Sequence, residues 1–92
     1  MFKIRKVEKL SVGSTAKSVS VNGRAFLIAN NSAEASVYFK DKAVDGTNVT
    51  STTGFLLPAG KVTDVPLIAD ELSIVASAAS TDVRVLILDC YA

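Results

Sequence analysis

Nine carboxylates and one thiol, with no histidine, are the residues of this 92-residue chain whose types most readily do chemistry. Without histidine the commonest general base and the commonest metal ligand are missing. Neither a Ser-His nor a Cys-His nucleophile can be assembled. Cys90 stands alone, so no disulfide closes within the chain, and one Cys without His makes no structural zinc site. Beside a hydrophobic strand it reads as a small apolar residue. A glycosidase-like pair needs two carboxylates across a cleft, one of them with a raised pKa, and none of the nine lies in an obviously apolar setting. Asp41-x-x-x-Asp45-Gly46-x-Asn48 offers oxygens suited to calcium, but it lacks the Asp-x-Asp-x-Asp-Gly spacing and the closing Glu of an EF-hand, and reads as a solvated loop. No phosphate-binding glycine motif occurs. The pattern therefore points away from an enzyme and from any cofactor.

Charge and aromatic content narrow the partners. Net charge is +1, too little for a nucleic-acid binder. Phe26, Tyr38 and Phe39 have few basic neighbours and suit a core better than an RNA-stacking sheet. No apolar run approaches the ~20 residues of a membrane-spanning helix. The charge is uneven, however: Lys3, Arg5, Lys6 and Lys9 against Glu8 make the first ten residues +3 and the remainder −2. A basic arm on a slightly acidic body suits docking on an acidic protein surface, or an edge strand guarded by lysines.

The elements that would position these residues are short and extended. Phe2-Lys3-Ile4-Arg5 alternates, while Val7, Leu10 and Val12 break the alternation, as a bend or a helical turn would. Lys17–Val21 alternates cleanly into Asn22-Gly23, the strongest short hairpin signal, with Arg24–Ala29 as the expected partner strand. Further strands are predicted over 35–40, 55–57, 61–65, 72–76 and 83–88, with turns at 30–33, 58–60 and 77–81. The polar stretch 41–53 is the longest irregular segment, and Asp41, Asp45 and Asn48 mark it as an exposed contact loop. No segment carries a helical apolar stripe. The expected fold is all-β: one antiparallel β-sandwich or jelly-roll of seven to eight short strands (residues 13–92) with an extended basic N-terminal arm (residues 1–12). Leu27, Tyr38, Val75, Leu86 and Leu88 exceed what one inner face per strand can bury, so they are expected at an interface between copies.

From Ala25 to Leu88 the chain resembles small β-sandwich structural proteins of tailed-bacteriophage virions. The carrying residues are Phe26-Leu27-Ile28-Ala29-Asn30-Asn31-Ser32, Val37-Tyr38-Phe39, Thr53 to Gly60 and Ile74 to Leu86. The resemblance implies a capsid decoration (cement) protein, made in the host cytoplasm and placed on the capsid surface. In that reading the sandwich assembles as a homotrimer, and Phe2, Lys3, Ile4, Arg5, Lys6 and Lys9 contact the major capsid protein. The alternatives are a receptor- or glycan-binding module of a tail or head fibre, and a neck or tail ring protein.

Overall fold

Alternating Val, Ile, Leu and Phe residues, separated by turn formers, produce eight strands in the computed structural model, which describes residues 1–90. They are β1 (Phe2–Val12), β2 (Lys17–Ser20), β3 (Ala25–Asn30), β4 (Val37–Asp41), β5 (Phe55–Leu57), β6 (Leu67–Ile68), β7 (Glu71–Ala76) and β8 (Thr81–Cys90). One 3₁₀ turn, Lys42–Val44, follows β4. The strands form two four-stranded antiparallel sheets, ordered β1-β8-β3-β6 (sheet I) and β2-β7-β4-β5 (sheet II). The partnerships β1 with β8, β2 with β7, β3 with β6 and β4 with β5 are those of a long hairpin, bent between β4 and β5, rolled up on itself. That is a jelly roll.

Between the sheets lies one core, in which Val12, Phe26, Ile28, Val83 and Val85 of sheet I meet Val37, Phe39, Leu72 and Ile74 of sheet II. The Phe26 and Phe39 rings join the layers edge to face, centroids 6.4 Å apart, and Phe39 meets Phe55 at 5.8 Å. Each fully buried side chain of this kind contributes on the order of 1.5–3 kcal/mol.

The strand expected over 61–65 is reduced to a single bridge at Val62, and β6 lies past Pro66 at Leu67–Ile68. Two other local readings also differ. Residues 1–12, read as an extended basic arm or as an edge strand guarded by lysines, form an edge strand: β1 pairs with β8 along its length, Leu10 packs against the core and Val12 is fully buried. The broken alternation has a cause in this ladder. The register shifts between Ile4 and Lys6, a β-bulge at Arg5. One extra residue restores the outward face at Val7 and leaves Leu10 and Val12 inward. The second difference concerns Asn22-Gly23. Both residues have positive φ (56° and 75°), and the Arg24 amide bonds the Val21 carbonyl at 3.1 Å, as a type I′ turn requires. The turn nevertheless joins no hairpin, because β2 pairs with β7 in one sheet and β3 with β8 and β6 in the other. β3 is apolar on both faces and so takes an interior position. The turn is an arch between layers, held by the Val21, Asn22 and Gly23 amides on the carbonyls of Asp70 and Ala69.

Candidate functional site

The two outer sheet faces differ, and the difference follows from pairing. In sheet I, Val83, Val85 and Ile87 of β8 point inward, so their neighbours Leu86 and Leu88 point outward. The partners opposite them are also apolar: Ile4 and Val7 on β1, Ala25 and Leu27 on β3, and Ile68 opposite Ala25 on β6. Ile4 is 63% exposed, Val7 56% and Ile68 74%. Val62, bridged to Ala29, extends the patch and is 52% exposed. Leu88 (6%) and Ala25 (8%) are themselves buried within the subunit, and Leu27 and Leu86 half-buried, so the exposed apolar surface of this face is carried by the strand edges. Its charges collect at one end, where Lys9 and Arg84 stand opposite each other with Asp82 beside them.

Sheet II has its own cover. Residues 45–54 fold across its outer side, and Val49 is 3% exposed. The Val49 amide donates to Ser73 Oγ at 3.0 Å, which explains a fully buried serine in the middle of β7. Gly54 lets the loop return tightly. A Cβ there would overlap a Val49 methyl and lie 2.9 Å from Tyr38 Cβ. Hydroxyls close the loop on itself, with the Thr50 amide on Thr53 Oγ1 at 2.9 Å.

The five residues expected at one interface therefore divide. Leu27, Leu86 and Leu88 lie on the outer face of sheet I. Tyr38 and Val75 pair on the outer face of sheet II, beside Val49 and Thr50, and Val75 is buried within the subunit. No single sheet face contains all five.

The loop residues also separate. Asp41 is not an exposed contact residue. Its carboxylate accepts from the amides of Ala43 (3.0 Å), Asp70 (3.1 Å) and Glu71 (3.1 Å), fastening the 3₁₀ turn to the start of β7. Desolvation pushes this carboxyl up, but the three amide donors outweigh it and hold it below the usual range. Asp45 is exposed, yet it is gripped by Lys40 Nζ at 2.8 and 2.9 Å and by the Thr47 amide at 3.0 Å. The ammonium, then the threonine, hold its carboxyl far below the usual value. Asn48 is exposed.

On β1, Phe2, Lys3, Ile4, Arg5, Lys6 and Lys9 are all exposed. Arg5 and Arg24 converge on Asp89, at 3.5 and 3.0 Å, tying the ends of β1, β8 and β3 together. First the Arg24 hydrogen bond, then the two positive charges, hold the Asp89 carboxyl low against mild desolvation. Lys6 pairs with Glu8. Asp82 is lowered by Asn31, which donates at 2.9 Å, and then by Arg84 at 3.2 Å. These carboxylates are acceptors already engaged in structure. Among the described residues no three His, Cys, Asp or Glu side chains gather as a metal site. The Cys90 side chain lies outside the described residues.

Asn30 was not singled out by its sequence. It ends β3 at 1% exposure, with Nδ2 donating to the carbonyls of Ala35 (2.8 Å) and Leu57 (3.1 Å) and Oδ1 accepting from the Ser32 amide (3.1 Å). It ties both sheets to the 31–35 turn. No helix of the described residues is long and apolar enough to cross a membrane. No protein-family model, curated protein or solved structure matches the chain.

Proposed function

We propose that this protein is a non-catalytic structural subunit of a tailed-bacteriophage virion, a decoration protein that docks on the major capsid protein and stabilises the head. The carrying observation is the outer face of sheet I, apolar across four strands with Ile4, Val7, Val62 and Ile68 exposed, in a chain that closes the other sheet with its own loop. Exposed apolar faces of this extent are a liability to a soluble monomer and an asset to an assembling one. Two features support the reading. A jelly roll recurs in capsid proteins, although also in lectins and cupins, so the fold alone names nothing. The edge strand β1 presents Lys3, Arg5 and Lys6 along the rim of the slab, where they suit an acidic capsid surface. Small subunits of this kind strengthen a shell by adding buried area where neighbours meet, with no bond chemistry.

The test is co-sedimentation of the purified chain with capsids that lack it. Saturable binding is expected, weakened by salt and by the double charge reversal Lys3→Glu/Lys6→Glu on the exposed edge. No binding at any salt concentration would refute the proposal. Binding to host cells or purified glycans in place of capsids would move the protein to a fibre.

A further inference from the structure

We infer that the outer face of sheet I is occupied by a second copy of this chain, packed face to face about a two-fold axis parallel to the strands. The inference names the partner of the face on which the proposed function rests, but it is tested without particles.

Area is the first reason. The chain is a slab of 39 × 29 × 18 Å. The broad side of the whole molecule, an ellipse with the two longer axes, covers roughly 900 Å², the same order as the ~800 Å² per partner of a standard stable interface. A dimer of standard size would therefore use nearly all of this side of the molecule. A flat sheet face accommodates one other sheet face, with strands aligned within about 30°. That geometry pairs two copies and leaves no room on the face for a third, so it departs from the trimer implied by the resemblance. It also closes: sheet II is covered by residues 45–54, so no equivalent face remains to propagate a fibre.

Charge selects the axis. The face is graded along the strands. One end is apolar, with Ile4, Leu88, Ala25 and Ile68 in a row across the sheet. The other end holds Lys9 and Arg84. A two-fold axis across the strands would lay each charged end on the other copy's apolar end and desolvate Lys9 and the Arg84–Asp82 pair against side chains that offer no hydrogen bond, which is costly. A two-fold axis along the strands keeps apolar on apolar and brings the two charged ends together, where Asp82 and Asp64 of both copies offset Lys9 and Arg84. It also places β1 of one copy over the 61–68 edge of the other, where Asp64 follows Val62 on the exposed rim. Among the described residues neither Lys9 nor Asp64 belongs to an ion pair within its own chain. In this arrangement Lys9 of each copy meets Asp64 of the other, twice by symmetry.

Sedimentation equilibrium of the full chain, from micromolar to about 1 mM, reads the association directly. The expected mass is twice the 9.6 kDa of the chain. Val7→Glu and Ile68→Lys, each at an already exposed position on opposite edges of the face, should weaken the dimer at least tenfold while leaving the far-ultraviolet circular dichroism unchanged. Val44→Lys, 83% exposed on the 3₁₀ turn, should change nothing. Lys9→Asp and Asp64→Lys should each weaken the dimer, and the double swap should restore it. A monomer throughout the range, a trimer, a dimer indifferent to Val7→Glu and Ile68→Lys, or a double swap no better than either single change would overturn the inference. A dimer that does not bind capsids would refute the decoration role alone, and a monomer that binds them would refute this inference alone.

Discussion

Replacing Asn30 by Ala should cost this domain about 3–4 kcal/mol, a large share of the ~5–14 kcal/mol expected for a chain of this length. The side chain is 1% exposed and makes three hydrogen bonds, at 2.8, 3.1 and 3.1 Å. Each is worth about 1 kcal/mol net, and the carbonyls of Ala35 and Leu57 would lose their Asn30 donor in a site water reaches poorly, adding to the loss. The neighbouring residue is the control. Asn31 is exposed and its side chain makes one bond, to Asp82 at 2.9 Å, so Asn31→Ala should cost about 1 kcal/mol or less. The assay is urea unfolding followed by far-ultraviolet circular dichroism, since the chain has no tryptophan. At an m-value of about 1.5–2 kcal/mol/M, Asn30→Ala should lower the midpoint by roughly 2 M with unchanged slope. All variants must be compared at one protein concentration, because association adds to apparent stability. A loss below about 1 kcal/mol for Asn30→Ala, or equal losses for the two asparagines, would refute the assignment of Asn30 as the polar tie between the sheets.

Other outcomes follow from the same contacts. Gly54→Val should lift residues 45–54 off sheet II, since the new side chain meets Val49 and Tyr38, and limited proteolysis should then cut that loop at least tenfold faster than in the native chain. Stability should be flat above the ordinary carboxylate pKa of 3.8 and fall as pH drops below it. Asp41, Asp45, Asp82 and Asp89 all have folded pKa values depressed from 3.8, so the unfolded chain binds their protons first and the stabilisation is lost as pH falls through the folded values. Acid titration of the unfolding midpoint measures this, and Asp45→Asn should flatten part of the slope. Ser73→Val should remove the acceptor of the Val49 amide without disturbing β7, loosening the loop while the core endures. Hydrogen exchange at the Val49 amide reads that change.

How far the residues disclose this structure depends on whether the deciding contact is local. The strands at 17–20 and 71–76 are legible from their period-two apolar pattern, and 55–57 from a short apolar run bounded by Gly54 and Pro58, all of them local signals. Asn22-Gly23 discloses its type I′ turn for the same reason, but not that its flanking strands part into different sheets, which long-range pairing decides. The bulge at Arg5 is visible only as a broken alternation in residues 2–12. Surplus apolar residues on β3, β4, β7 and β8 indicate that something must cover both outer faces. They do not reveal that residues 45–54 cover one of them, because the loop's anchor is a single valine among polar residues, seated against a serine 24 positions away. Asn30 and Asn31 are indistinguishable in sequence, and only the end of β3 turns one inward.

The proposed decoration role is tested most directly by measuring, with mass spectrometry against the major capsid protein, the copy number of this chain in tailed-phage particles purified from the source of its gene. The expected result is hundreds of copies, in a simple ratio to the major capsid protein. A few copies per particle would place the chain in a neck, tail or fibre, and none would contradict the virion role altogether.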